Sequence, residues 1–254
     1  MIKSLTVSPP HGQDGPCAPT KLVLDEVGLN RYLEKIKKLI PVYSWIPLGS
    51  VLLMNFLAYY VNRLFTAGRP HYSMWTPIDD HIPFLSWFSV FYVLAFVQWI
   101  IGFILIARES KAVCFRFLSA EFIAKALCLV CFLIIPTTIT WPKVEGTSVF
   151  DVLTRLIYAT DQPDNLFPSI HCLESWICLR SCTYLKKVPS WYRSATRVMT
   201  ILVFASTVCI KQHVFVDIPG AILVGETGLL LVSRFRVDRV FARIKICCLG
   251  EKPE

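Results

Sequence analysis

Six apolar runs limit how this chain can fold, because each approaches the roughly 20 helical residues needed to cross about 30 Å of hydrocarbon. They lie near residues 45–65, 83–106, 117–138, 170–186, 196–212 and 217–233. Across the 254 residues, 54% are hydrophobic and 17% charged, with a mean hydropathy of +0.53. Soluble domains carry about a quarter charged residues. The pattern predicts an all-α integral membrane protein with six transmembrane helices. Only loops and short tails remain outside the runs, so no second soluble domain is available.

The net charge of +8 could suggest a nucleic-acid partner, but the basic residues form no single face. The N-terminal tail, the 108–125 and 180–197 segments and the chain from Arg234 onward hold 21 of the 26 Lys and Arg. Arg63, Arg69, Lys143, Arg155 and Lys211 fall on the other side of the alternating loops. Cytoplasmic loops carry the excess of Lys and Arg. Both termini are therefore expected in the cytoplasm, and the 139–169 loop and the 206–217 stretch outside it or in a lumen. Nucleic acid is not an expected partner; membrane lipids are.

Residues 1–40 read as a cytoplasmic tail. Its Pro- and Gly-rich start is expected to be flexible, and Leu22–Ile40 has the pattern of an amphipathic helix, lying on the inner surface or packed on the bundle base. Residues 41–234 form the expected membrane domain, and 235–254 a basic cytoplasmic tail. No outer pair of cysteines is available, so no structural disulfide is expected. Cys247 and Cys248 are candidates for acylation. The 66–83 loop holds His71, Asp79, Asp80 and His81 at spacings that fit no zinc pattern, and the last three suit a cap on the second span. Glu121 and Lys125 form an i, i+4 pair. Residues 150–159 suit a short surface helix.

Two outward-facing stretches carry chemistry. In Ser206–Asp217, Lys211, His213 and Asp217 place three ionisable groups in seven residues between apolar runs, where charge is costly and usually functional. A helical backbone there would put His213 and Asp217 one turn apart, about 5–6 Å between Cβ atoms, and the carboxylate could then polarise the imidazole. A helix-cap Asp, a satisfied loop His and a snorkelling Lys is the plainer alternative. The second stretch, Asp161–His171, ends in Pro168, Ser169, Ile170 and His171 at the start of the fourth run. Pro in a first turn and free N–H groups beside Ser169 make an anion-binding helix start. Two histidines, one beside an anion site and one beside a carboxylate, suit phosphoryl transfer through a phosphohistidine: one attacks and the other protonates the leaving oxygen. Glu174, one turn on, could orient His171 or pair with a neighbour.

At these residues the sequence resembles the type 2 phosphatidic acid phosphatase superfamily, in particular the branch related to inositol phosphorylceramide and sphingomyelin synthases. Pro168-Ser169-Ile170-His171 matches the family's Pro-Ser-x-His motif. Ser206, His213 and Asp217 match its Ser-Arg-x5-His-x3-Asp motif, with Thr207 at the Arg position. The first motif, Lys-x6-Arg-Pro, aligns with Ile134 and Trp141-Pro142, so both of its cations are missing. The resemblance covers residues 83–233 and implies a six-helix core with the motifs on one membrane face. It also implies His213 as nucleophile, Asp217 as its orienter and His171 as general acid, with Ser169, Ser206, Lys211 and Lys143 as candidate phosphate ligands and no metal or other cofactor. The expected activity is metal-independent hydrolysis of a lipid phosphate monoester or diphosphate at the exoplasmic face, in a multi-pass membrane enzyme. Transfer of a phosphoryl headgroup to an acceptor lipid is the alternative within the family. A proton-coupled transporter or an inactive lipid-binding relative are alternatives outside catalysis.

Overall fold

The computed structural model describes residues 31, 34–241 and 243. The flexible start of the tail, most of the amphipathic segment and Cys17, Cys247 and Cys248 lie outside the described residues. The chain divides into two compact units between Lys38 and Leu39. In the first, residues 34–38 are helical and Lys37 Nζ lies 2.8 Å from Glu34 Oε1.

The second unit is helical: α1 (Val42–Thr66), α2 (Pro77–His81), α3 (Ser86–Glu109), α4 (Lys111–Ile134), α5 (Val149–Thr160), α6 (Ile170–Ser181), α7 (Ser190–Cys209) and α8 (Asp217–Phe235). Among the described residues the extended pairings are isolated bridges, Tyr72 with Thr137 and Thr138 with Asp164. Local sequence sets several helix starts. Pro47 falls in the first turn after Ser44, where its missing N–H leaves no bond unmade. Ser110 accepts from Val113 N at 3.2 Å to cap α4. Ser148 and Asp151 close a capping box on α5, as do Thr76 and Asp79 on α2.

Four of these helices are long and apolar enough to cross a membrane: α1, α3, α4 and α8. The other two expected runs differ in kind. α6 has 12 residues, about 18 Å at 1.5 Å per residue. The 170–186 run therefore finishes as a non-helical turn, with Cys182 and Leu185 buried. α7 has the length, at 20 residues, but it begins at Ser190, so Arg193 and Arg197 lie inside it and lower its hydropathy. α5 is the short helix expected near 150–159. Thr154, Ile157 and Tyr158 face inward, while Val149, Val152 and Leu156 are exposed.

α4 is the hub, packing against α1, α3, α6 and α8. Phe117, Ala120, Ala124, Cys128 and Phe132 give it an apolar face that meets Leu173 and Ile177 of α6 and Leu229 of α8. Gly228 lets α8 come close, since a Cβ there would sit inside contact distance of the Ala120 carbonyl oxygen. A backbone oxygen in a packed helix cannot step aside, and overpacking costs about 1–3 kcal/mol. Gly228→Ala should therefore lower the thermal unfolding temperature in detergent micelles. An unchanged transition would mean that α8 moves off α4 freely.

Candidate active site

The turn between α7 and α8 carries His213. α7 closes with Lys211 N bonded to Val208 O at 3.2 Å and Gln212 N to Thr207 O at 3.0 Å, the paired bonds of a Schellman stop. That stop needs a left-handed residue one past the cap, and Lys211 takes φ 55° there. Glycine would avoid the steric cost of about 1–2 kcal/mol, but the lysine side chain has its own role. Its ammonium donates to the carbonyls of Asp79 at 2.9 Å and Ile82 at 2.7 Å, and lies 4.9 Å from the Trp75 ring centre. Asp79 holds the same turn a second time, its Oδ1 accepting from Phe215 N at 2.7 Å. Asp79, expected with Asp80 and His81 to cap the second span, instead caps the separate short helix α2, and it also anchors the 211–215 turn.

His213 and Asp217 meet as their spacing suggested, although the backbone between them is a turn rather than a helix. His213 Nδ1 lies 2.9 Å from Asp217 Oδ2, which also accepts from Val214 N at 3.2 Å. Asp217 is fully buried and His213 is 6% exposed. A carboxylate on Nδ1 holds the proton there and leaves the Nε2 lone pair for attack.

Ser169 starts α6 by accepting from Cys172 N at 3.3 Å, and its own amide donates to Asp217 O at 3.4 Å. Among the described residues the amides of Ile170 and His171 have no partner, the free donors that a helix start leaves. The preceding loop is held by Thr137, whose hydroxyl oxygen accepts from Leu166 N at 2.9 Å and Phe167 N at 3.0 Å. His171 and His213 then face each other with ring centres 6.2 Å apart. Together with Tyr59, Asp161, Asn165 and Gln212 they line a cavity of about 10 Å³, room for about one water. A larger cavity of about 480 Å³ also reaches His171, shares Tyr59, Asp161 and Ile170 with the small one, and is lined by Tyr92, Phe96, Trp99 and Glu174 among others.

The remaining expected ligands are placed elsewhere. Ser206 is fully buried and its hydroxyl donates to Val203 O at 2.7 Å within its own helix. Thr207, at the motif's Arg position, likewise donates to Phe204 O at 2.8 Å. Lys143 is exposed in the loop after α4, and Trp141 before it stacks on Tyr158 at 4.2 Å. Glu174 pairs with a neighbour rather than with His171: its Oε1 lies 2.6 Å from Lys125 Nζ, and Glu121 lies 3.5 Å away on the same ammonium. Among the described residues no group of three or more His, Cys, Asp and Glu is placed to hold a metal ion. His71, Asp80 and His81 are engaged locally, with Arg69 O, Trp75 Nε1 and Pro77 O.

Sequence reading passed over Asp161, Tyr92, Arg63 and the Glu174–Lys125 pair. Asp161 Oδ2 accepts from Tyr92 at 2.5 Å, and its backbone oxygen accepts from Gln212 Nε2 at 2.7 Å. Burial pushes its carboxyl up to about 6, against the pull of His213 and the Gln212 hydrogen bond. Arg63 is ion-paired with Asp164 at 2.8 Å, and Asp164 also lines the small cavity. The signal for Asp161 was its place in the polar stretch before Pro168; Tyr92, inside an apolar run, gave none.

No protein-family model matches this chain, and no curated protein matches it.

Proposed function

We propose that the protein is a membrane enzyme that removes the phosphoryl group of a lipid phosphate, with His213 as nucleophile, Asp217 as its orienter and His171 as proton donor. One observation carries the reading: a buried imidazole held by a buried carboxylate at 2.9 Å faces a second buried imidazole 6.2 Å away, at a helix start with free amides. Attack at about 3–3.5 Å from one ring and proton delivery over about 2.6–3.2 Å from the other place the two imidazoles on opposite sides of the phosphorus once they separate to admit it. The 10 Å³ between them is too small for a phosphoryl group, so substrate entry requires a side-chain shift, with Tyr59 and Asn165 at the boundary. The 480 Å³ cavity takes the lipid portion. The amides of Ile170 and His171 hold the equatorial oxygens, with Arg63 as the cation at the rim. In this reading all six long elements lie across the bilayer, both termini are cytoplasmic and the histidines face the exoplasmic side. α6 covers about 18 Å of the crossing, and the chain then turns over the buried Cys182 and Leu185 to the exposed Lys186 and Lys187.

Headgroup transfer between lipids is the second reading, and the placement of Lys211 favours it. With that ammonium committed to Asp79 and Ile82, little positive charge remains beside His213, and a phosphodiester needs less of it than a monoester. The deciding measurement incubates purified protein with phosphatidate, phosphatidylglycerophosphate, polyprenyl diphosphate, sphingosine phosphate, and phosphatidylcholine plus ceramide, following both free phosphate and new phospholipid. Free phosphate without a new lipid is the expected result. A new phospholipid without phosphate identifies the transferase, and neither product from any lipid rules out both.

A further inference from the structure

Tyr92 of α3 stands between two groups that can trade protons. Its hydroxyl lies 2.5 Å from Asp161 Oδ2 and 3.3 Å from His171 Nδ1, with the phenol and imidazole rings stacked at 4.0 Å. Both rings are buried, Tyr92 at 2% exposure and His171 at 7%. A phenol has one proton to give. When Asp161 is ionised, the phenol donates to the carboxylate. Its oxygen can then only accept from the imidazole, so the ring proton sits on Nδ1 and Nε2 is bare. When Asp161 is protonated, the carboxyl donates to the phenol oxygen and the phenol donates to Nδ1. The ring proton then sits on Nε2.

We propose that Asp161 and Tyr92 form a proton relay that sets the tautomer of His171, making its Nε2 an acid in one half of the reaction and a base in the other. The proposal rests on the reading of His171 as the proton donor. In the first half the His213–phosphorus bond forms and the bond to the leaving oxygen breaks. That oxygen takes the Nε2 proton while Nδ1 takes the phenol's and the phenol takes the carboxyl's. In the second half a water attacks phosphorus, breaks the bond to His213 and gives its proton to Nε2. As Nε2 takes that proton, Nδ1 returns its own through Tyr92 to Asp161. Protons balance over the cycle and His171 stays neutral throughout.

Neutrality matters at this position. His171 packs against Trp99 and Phe96 at ring-centre distances of 5.0 and 5.7 Å, and its Nε2 is buried with no hydrogen-bond partner. A charge in such surroundings is expensive, and a neutral imidazole gives up its proton readily only when its other nitrogen is refilled. The groups facing Asp161 are Tyr92 from α3, His171 from α6, Gln212 and His213 from the α7–α8 turn, Tyr59 of α1, and Asp164, which is paired with Arg63 of α1. With its carboxyl raised to about 6, Asp161 holds a proton on the acid side and loses it as pH rises through that value. The acid-competent tautomer is lost with it.

The test labels histidine with ¹⁵N and follows the ring nitrogens of purified protein in micelles from acid to mildly alkaline pH, assigning His171 by its loss in His171→Gln. In the wild type His171 should change from the Nε2–H to the Nδ1–H tautomer around the titration of Asp161. Tyr92→Phe keeps the stacked ring and should abolish the change. In turnover, wild-type kcat/KM on a lipid phosphate should fall as pH rises through about 6. Tyr92→Phe should lower it by roughly 10²-fold and remove that limb, while an activated aryl phosphate is affected far less. A single wild-type tautomer across the range, or a Tyr92→Phe protein that titrates like the wild type, overturns the relay. A tautomer change without turnover of any lipid supports the relay and removes the phosphatase reading instead.

Discussion

The His213→Ala protein should fold, insert and show no turnover of any lipid phosphate, and rapid quench with a labelled substrate should trap no phosphoenzyme. The side chain makes one strong polar contact, with Asp217, whose carboxylate keeps the Val214 amide when the ring is gone. Stability should therefore change by about 1 kcal/mol, the usual net value of one hydrogen bond. Chemistry loses the only atom placed to attack, because in this mechanism every productive bond to phosphorus passes through Nε2. Asp217→Asn should retain the attacking atom but lose the carboxylate that keeps the proton on Nδ1. Phosphoenzyme formation should slow by about 10⁴-fold, as when a histidine of this kind loses its carboxylate partner. Labelled enzyme in the burst of His213→Ala would remove His213 as nucleophile, and a wild-type rate in Asp217→Asn would remove the orienting role.

Lys125→Met should be the most destabilising single change in the membrane core. The ammonium is 2% exposed and lies between Glu174 at 2.6 Å and Glu121 at 3.5 Å, so one positive charge is set against two carboxyl groups. Removing one member of a buried ion pair costs about 3–5 kcal/mol, because the partner is left as an uncompensated buried charge. Thermal unfolding in micelles should show the loss, and Lys125→Met combined with Glu121→Gln and Glu174→Gln should recover most of it. Glu174 also lines the large cavity, one turn from His171 on α6, so the single variant should lose activity through displacement of that helix. An unaltered transition in Lys125→Met would mean that both carboxyl groups already carry protons and that the pair contributes little.

The local parts of the site were legible because they depend on spacing along the chain. Ser169 caps α6 through a bond to a residue three further on, and Asp217 reaches His213 four residues back. A Schellman stop at Lys211 was not anticipated, since a lysine in a left-handed conformation carries no local signal. Its contacts with Asp79 and Ile82 bridge 132 and 129 residues, and they turn aside a cation that the sequence alone assigned to phosphate.

What the sequence determined by itself is the helical class, the apolar runs, the helix start at Ser169 and the pairing of His213 with Asp217, because each follows from one residue's chemistry and a fixed number of peptide units. Tertiary packing decided the rest. It ended α6 after twelve residues, joined Glu174 to Lys125 across 49 residues and placed Tyr92 between Asp161 and His171 across 69 and 79. α3 is apolar almost all round, so no periodicity marks the face on which Tyr92 lies. Which buried polar group meets which is set by how whole helices rotate and pack, since a low-dielectric core makes every unpaired group costly and the fold with its partners matched prevails.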